Sequence, residues 1–156
     1  MFSYSKDLNF DVVLPSVKAT HKRQVYKMGS DALAKHIGAS SALILARLQD
    51  QARLSRACAG DGVVVADMKV SGLKAPCMVL LTLRDEVDFD ARDGVGVNLF
   101  CIVLSPESER MVHLRLVSRV MRLLKNEDVR AGLAAAKSEH DMRSVLVESE
   151  RFMVAA

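Results

Sequence analysis

Tryptophan is absent from the 156 residues, and the aromatic residues together make up only 4%. Stacking platforms for single-stranded nucleic acid depend on such rings, so that class of partner finds little to bind. A formal net charge of +3 is likewise too small to imply a polyanionic partner by itself. The three cysteines, Cys58, Cys77 and Cys101, are odd in number and contain no CxxC pair. That pattern argues against a disulfide framework and against a metal site, so no metal and no cofactor are expected. Cys77 and Cys101 fall inside apolar runs, where a thiol behaves as a small buried hydrophobe. No apolar run approaches the about 20 residues of a membrane helix, and residues 1–7 hold no apolar signal core; the expectation is a cytoplasmic protein without membrane insertion. Internal repeats, low-complexity tracts and linkers are also missing, which reads as one domain over residues 1–156, with a core from about residue 12 to about residue 150.

What is present suits a globular domain: half of the residues are hydrophobic and 26% are charged. At this length roughly 70% of the unfolded chain's surface can be buried, so no covalent staple is required. Val12-Val13-Leu14 forms a short apolar stretch ended by Pro15. Thr20 is placed to cap a helix in which Val25, Met28, Ala32 and Leu33 recur at helical spacing and which Gly38 stops. A second helix starts at Ser40 or Ser41, turns Ile44, Leu45 and Leu48 inward and ends near Leu54. Residues 63–66 read as a buried strand with Asp67 at its tip. Residues 78–83 and 99–104 are continuous apolar runs, as in strands covered on both faces, and a polar turn at 88–94 separates them. Helices on both sides of a central sheet are implied. Over residues 109–125, Val112, Leu114, Val117, Met121 and Leu124 make an apolar stripe, with Arg115, Arg119 and Arg122 outside it, as a solvated face or a dock for an acidic partner. Asn126 caps the next helix, and Ser138 with Asp141 opens a last short one carrying Met142, Val145 and Leu146. His21, His36 and His140 read as solvent-facing helix residues.

One segment carries a more specific signal, Gly60-Asp61-Gly62-Val63-Val64-Val65-Ala66-Asp67-Met68-Lys69 and its continuation to Pro76. It resembles the active-site segment of IIA domains of the mannitol/fructose class of the bacterial sugar phosphotransferase system, the nitrogen-regulatory branch included. The likeness continues through Val87-Asp88-Phe89-Asp90-Ala91-Arg92-Asp93-Gly94 and the strand from Val97 to Glu107, and covers nearly all of residues 17–147. Aligned on the two glycines, the family's phosphorylated histidine falls on Asp67, its preceding proline on Ala66 and its following basic residue on Lys69. The family's second active-site histidine is retained as His113. Its phosphate-holding arginine falls on Gln51, with Ala52 in place of a glutamate. Gly60 and Gly62 serve either a tight turn or an anion-cradling nest.

The resemblance implies an α/β fold of one domain, with a central mixed, mostly parallel sheet of about five strands and helices on both faces. It also frames the chemistry. A phosphohistidine carrier needs a neutral imidazole as nucleophile and a guanidinium to offset phosphate charge; Asp67 and Gln51 supply neither. Asp67 reads as a solvated carboxylate at a strand end, or as a mimic of phosphohistidine carrying about one charge against nearly two. The first expectation is a domain that has lost histidine phosphotransfer and persists as a regulatory, protein-binding module, with Asp67, Gln51, Lys69 and His113 at its interface. The alternative is an active phosphocarrier that accepts phosphate from an HPr-like donor on Asp67 or His113. The implied partner is accordingly an HPr-like phosphocarrier or a regulatory target protein, and homodimerisation is left open.

Overall fold

The structure, a computed structural model, describes residues 8–54 and 57–155, with backbone alone for 52–54 and 150–155. Residues 1–7, read above as lacking a signal core, and the side chain of Ala52 lie outside the described residues.

The elements run β1 (Val12–Val17), α1 (Lys22–Ile37), α2 (Ser41–Leu54), β2 (Cys58–Gly60), β3 (Val63–Val70), β4 (Cys77–Val87), β5 (Val97–Pro106), α3 (Arg110–Lys125), α4 (Glu127–Ala135) and α5 (Glu139–Ala155). The strands form one five-stranded sheet in the order β1-β4-β5-β3-β2. Its pairing is mixed, as expected: β1–β4 and β3–β5 are parallel and the other two neighbours antiparallel, so parallel pairs account for half of the neighbours rather than most. Alternating residues of β3, β4 and β5 feed two separate cores. Val64, Ala66, Val79, Leu81, Phe100 and Ile102 meet α1 and α2, whereas Val63, Val65, Leu80, Cys101 and Val103 meet α3, α4 and α5.

Several local expectations shift. β1 does not stop at Pro15 but continues to Val17, which a strand at the sheet edge tolerates because no ladder partner needs the missing N–H. A register shift follows Leu14, and the Ser16 N–H is taken by Thr82 Oγ1 at 2.8 Å. α1 is capped by His21, whose Nδ1 accepts from Gln24 N, rather than by Thr20. Gly38 ends it in the left-handed region as anticipated. Asn126 and Ser138 cap as read, although α5 extends over 17 residues and is not short.

The largest correction concerns α3. The side chains it buries are His113, Leu116, Val120, Leu123 and Leu124; Leu114, placed inside by the apolar stripe, is 63% exposed, as is Met111. Leu124 is buried as read, and Val117 and Met121 pack at the margin of the core, but the centre of the buried face is the aliphatic set Leu116, Val120, Leu123 and Leu124 at i, i+4, i+7 and i+8. His113 lies on that same face and points into the sheet to meet two polar groups there. Among the described residues no helix is long and apolar enough to cross a membrane.

Candidate functional site

β3 runs on through Asp67 to Val70, so Asp67 lies within the strand and not at its tip. In the parallel register Asp67 faces Val103 and Lys69 faces Ser105. Strand alternation puts Asp67, Lys69, Val103 and Ser105 on the side of the sheet covered by α3.

His113 in the first turn of α3 completes the arrangement. Its Nε2 donates to Asp67 Oδ2 at 2.7 Å, and its Nδ1 lies 2.7 Å from Ser105 Oγ. A carboxylate only accepts, so the proton on that side belongs to Nε2. Nδ1 then accepts from the Ser105 hydroxyl when the ring is neutral, and donates to it when the ring is an imidazolium. The histidine side chain is 5% exposed and the aspartate side chain 32%. Ser105 is fully buried. The Asp67 carboxylate is therefore not a solvated strand-end group: two-thirds of it is covered, and one oxygen is engaged by an imidazole. An Asp–His–Ser chain of this kind is a proton-relay geometry, but a serine with no exposure cannot attack an outside substrate.

The remaining expected residues divide. Gln51 sits exposed on α2, one turn beyond Arg47, whose guanidinium Nη2 donates to the Lys69 carbonyl at 3.3 Å. Arg47 thus brings a cation to the Lys69 end of β3. Sequence reasoning missed it because it is four residues from the family's arginine position. Ser105 was also missed, although it falls on the same strand alternation as Val103 and Cys101.

Gly60 and Gly62 are not near Asp67. Gly60 precedes and Gly62 lies in the turn joining β2 to β3, and Gly62 is five residues before Asp67, about 16 Å at strand rise. Gly60 pairs with Val63, and Asp61 and Gly62 both have positive φ, as a two-residue type I′ hairpin turn requires. The Asp61 N–H that a nest would offer to an anion is already taken by Asp93 Oδ2 at 2.8 Å. That hydrogen bond, with a second from Val95 N–H, holds the Asp93 carboxyl below the usual carboxylate range. Lys125 and Arg130 donate to the carbonyls of Ala59 and Asp61, fastening the turn to α3 and α4.

None of the three thiols is poised as a nucleophile. Burial, reinforced by the Asp11 carboxylate, pushes Cys77 up to about 12, and burial raises both Cys58 and Cys101.

The sequence model of the family described as "Phosphoenolpyruvate-dependent sugar phosphotransferase system, EIIA 2" matches residues 8–149. A curated nitrogen regulatory protein of Pseudomonas aeruginosa is 28% identical over 136 residues, spanning 86% of this chain and 88% of that protein. Among solved structures, nitrogen regulatory protein IIA-Ntr from Neisseria meningitidis superposes with a TM-score of 0.79 at 25% identity, covering 86% of this chain and 92% of its own. Enzyme IIAMTL from Escherichia coli, solved in complex with phosphorylated enzyme IIBMTL, shares the fold with a TM-score of 0.71 at 17% identity, covering 91% of this chain and 98% of its own. With its matched segment running through both Asp67 and His113, the chain belongs to the EIIA 2 family of the phosphoenolpyruvate-dependent sugar phosphotransferase system.

Proposed function

We propose that this chain is a cytoplasmic regulatory, protein-binding member of the family that has lost histidine phosphotransfer. The observation that carries the reading is the 2.7 Å hydrogen bond from His113 Nε2 to Asp67 Oδ2. A carrier histidine needs an accessible nitrogen lone pair; His113 is buried, with both ring nitrogens engaged. The carboxylate in the carrier position would need a divalent ion or a cluster of cations to offset the charge of an acyl phosphate. Gln51 adds no charge, Arg47 is held to the Lys69 carbonyl, and Lys69 on the same face of β3 is a single cation rather than a cluster.

The partner, on this reading, is a protein. Met111 and Leu114 are each 63% exposed at i and i+3, an apolar pair on the solvent-facing side of the helix that carries His113. Relatives named nitrogen regulatory protein, and a IIA relative solved with a IIB partner, support a regulatory target or a phosphotransfer protein as occupant of this surface. Asp67 then acts as a permanent anion, with about one charge against the nearly two of a phosphoryl group.

The test is mass spectrometry of the intact protein after incubation with phosphoenolpyruvate, the general phosphotransfer enzyme and HPr, beside a standard IIA domain. The expected result is no added phosphate on this chain and full labelling of the control. A phosphorylated species that disappears in Asp67→Asn would overturn the reading in favour of an aspartyl carrier.

A further inference from the structure

Asp11, His36 and Cys77 are far apart in sequence, and their spacing matches no metal motif. The fold brings them together. Asp11 immediately precedes β1, His36 lies in the last turn of α1, and Cys77 is the first residue of β4. One ligand atom from each lies within 4.8 Å of the other two, and His36 Nε2 is 3.6 Å from Asp11 Oδ1. Among the described residues this is the one place where three such groups converge.

The geometry points to a binding site for a single Zn2+-class cation, held by Asp11 Oδ1, His36 Nε2 and Cys77 Sγ, with solvent in the fourth position. The donor set is the first reason. One imidazole nitrogen, one thiolate sulfur and one carboxylate oxygen suit a borderline metal of four-coordinate habit, whereas Mg2+ and Ca2+ require shells of oxygen. A neutral imidazole, a thiolate and a carboxylate also cancel a charge of two; Cys77 binds as the thiolate and its proton passes to solvent.

The second reason is that the ligands are already positioned. Asp11 Oδ2 accepts from Met78 N at 2.8 Å, which turns Oδ1 toward His36. Arg143 on α5 donates to the carbonyl of buried Phe10 at 2.8 Å, pinning the segment that carries Asp11. Such outer contacts orient a ligand before the ion arrives. Ligand atoms of a tetrahedral zinc site lie about 3.3–3.8 Å apart, so closure needs a small rotation of one side chain. His36, at 46% side-chain exposure, is free to make it and leaves an entry path from solvent.

The cluster is independent of the phosphotransfer site. Cys77 belongs to the core beneath α1 and α2, Asp67 faces α3, and β5 separates their strands. A bound ion would tie the C-terminal end of α1 to the β1–β4 edge of the sheet.

The test is titration of the full chain with Co2+ under reducing conditions, followed by addition of Zn2+. We expect one Co2+ per chain with near-ultraviolet thiolate-to-cobalt absorption, displaced by Zn2+, retained in Cys58→Ser and lost in Cys77→Ser. His36→Gln, an exposed change that leaves the helix intact by circular dichroism, should lose stoichiometric binding. Absence of the thiolate band in the wild type, its survival in Cys77→Ser, or wild-type cobalt affinity in His36→Gln would each overturn the assignment.

Discussion

Replacing Asp67 by alanine removes the acceptor of His113 Nε2–H while the imidazole stays buried against Ser105. An orphaned buried donor costs about 1–3 kcal/mol, and a hydrogen bond to a charged group contributes about 1.5–3 kcal/mol. The 32% exposure of the Asp67 side chain lets water replace part of the lost bond, which favours the lower half of that range. The expected destabilisation is therefore about 1–2 kcal/mol, a fall in Tm of about 2–8 °C for a domain of this size. Asp67→Asn keeps an acceptor oxygen in place and should cost less. Urea unfolding of Asp67→Ala, His113→Leu and the double variant closes a thermodynamic cycle whose coupling isolates the pair from the cavity that the histidine change leaves. A coupling of about 1–2 kcal/mol is expected. Additivity within about 0.3 kcal/mol would refute the reasoning, because a hydrogen-bonded neighbouring pair should couple.

Three further outcomes follow from the geometry. Gly62→Ala forces a side chain onto a residue at φ +82 with its Cβ 3.1 Å from Gly96 O and Asn98 Oδ1; it should cost about 1–3 kcal/mol in urea unfolding, and a change below about 0.3 kcal/mol would contradict the turn. Asp93 has a folded pKa below its ordinary value because it accepts from the N–H groups of Asp61 and Val95. Its contribution is complete above the unfolded pKa and lost as pH falls through the folded one, so Asp93→Asn should flatten the loss of stability on acidification below about pH 4, and an unchanged acid limb would refute it. Maleimide labelling of the native protein should reach half-buried Cys58 slowly and leave Cys77 and Cys101 unmodified until denaturant is added; rapid native modification of Cys77 would contradict its burial.

The parts of this fold legible in the sequence were those where one physical signal dominated. β4 and β5 are long continuous apolar runs buried on both faces, and the shorter run at the start of β3 is buried likewise. Asn126, Ser138 and Gly38 stop or start helices by local chemistry that tertiary context did not override. The phase of α3 was only half legible, because the helix carries two overlapping aliphatic stripes: the one through Leu114 shares Leu124 with the buried face, whose centre is Leu116, Val120 and Leu123. Pro15 was misleading for a related reason, since whether a proline ends a strand depends on whether that strand lies at an edge. Within the site, His113 and Asp67 were found by position, whereas Ser105 and Arg47 required knowing which strand and which helix stand beside them.

The burial of His113 changes what its presence signifies. This histidine joins a helix to a sheet through two hydrogen bonds, on the same face that buries Leu116, Val120 and Leu123. Folding alone is then a sufficient reason for a histidine at this position, whatever phosphate chemistry the chain performs. A histidine at this position is accordingly a marker of architecture as well as of activity.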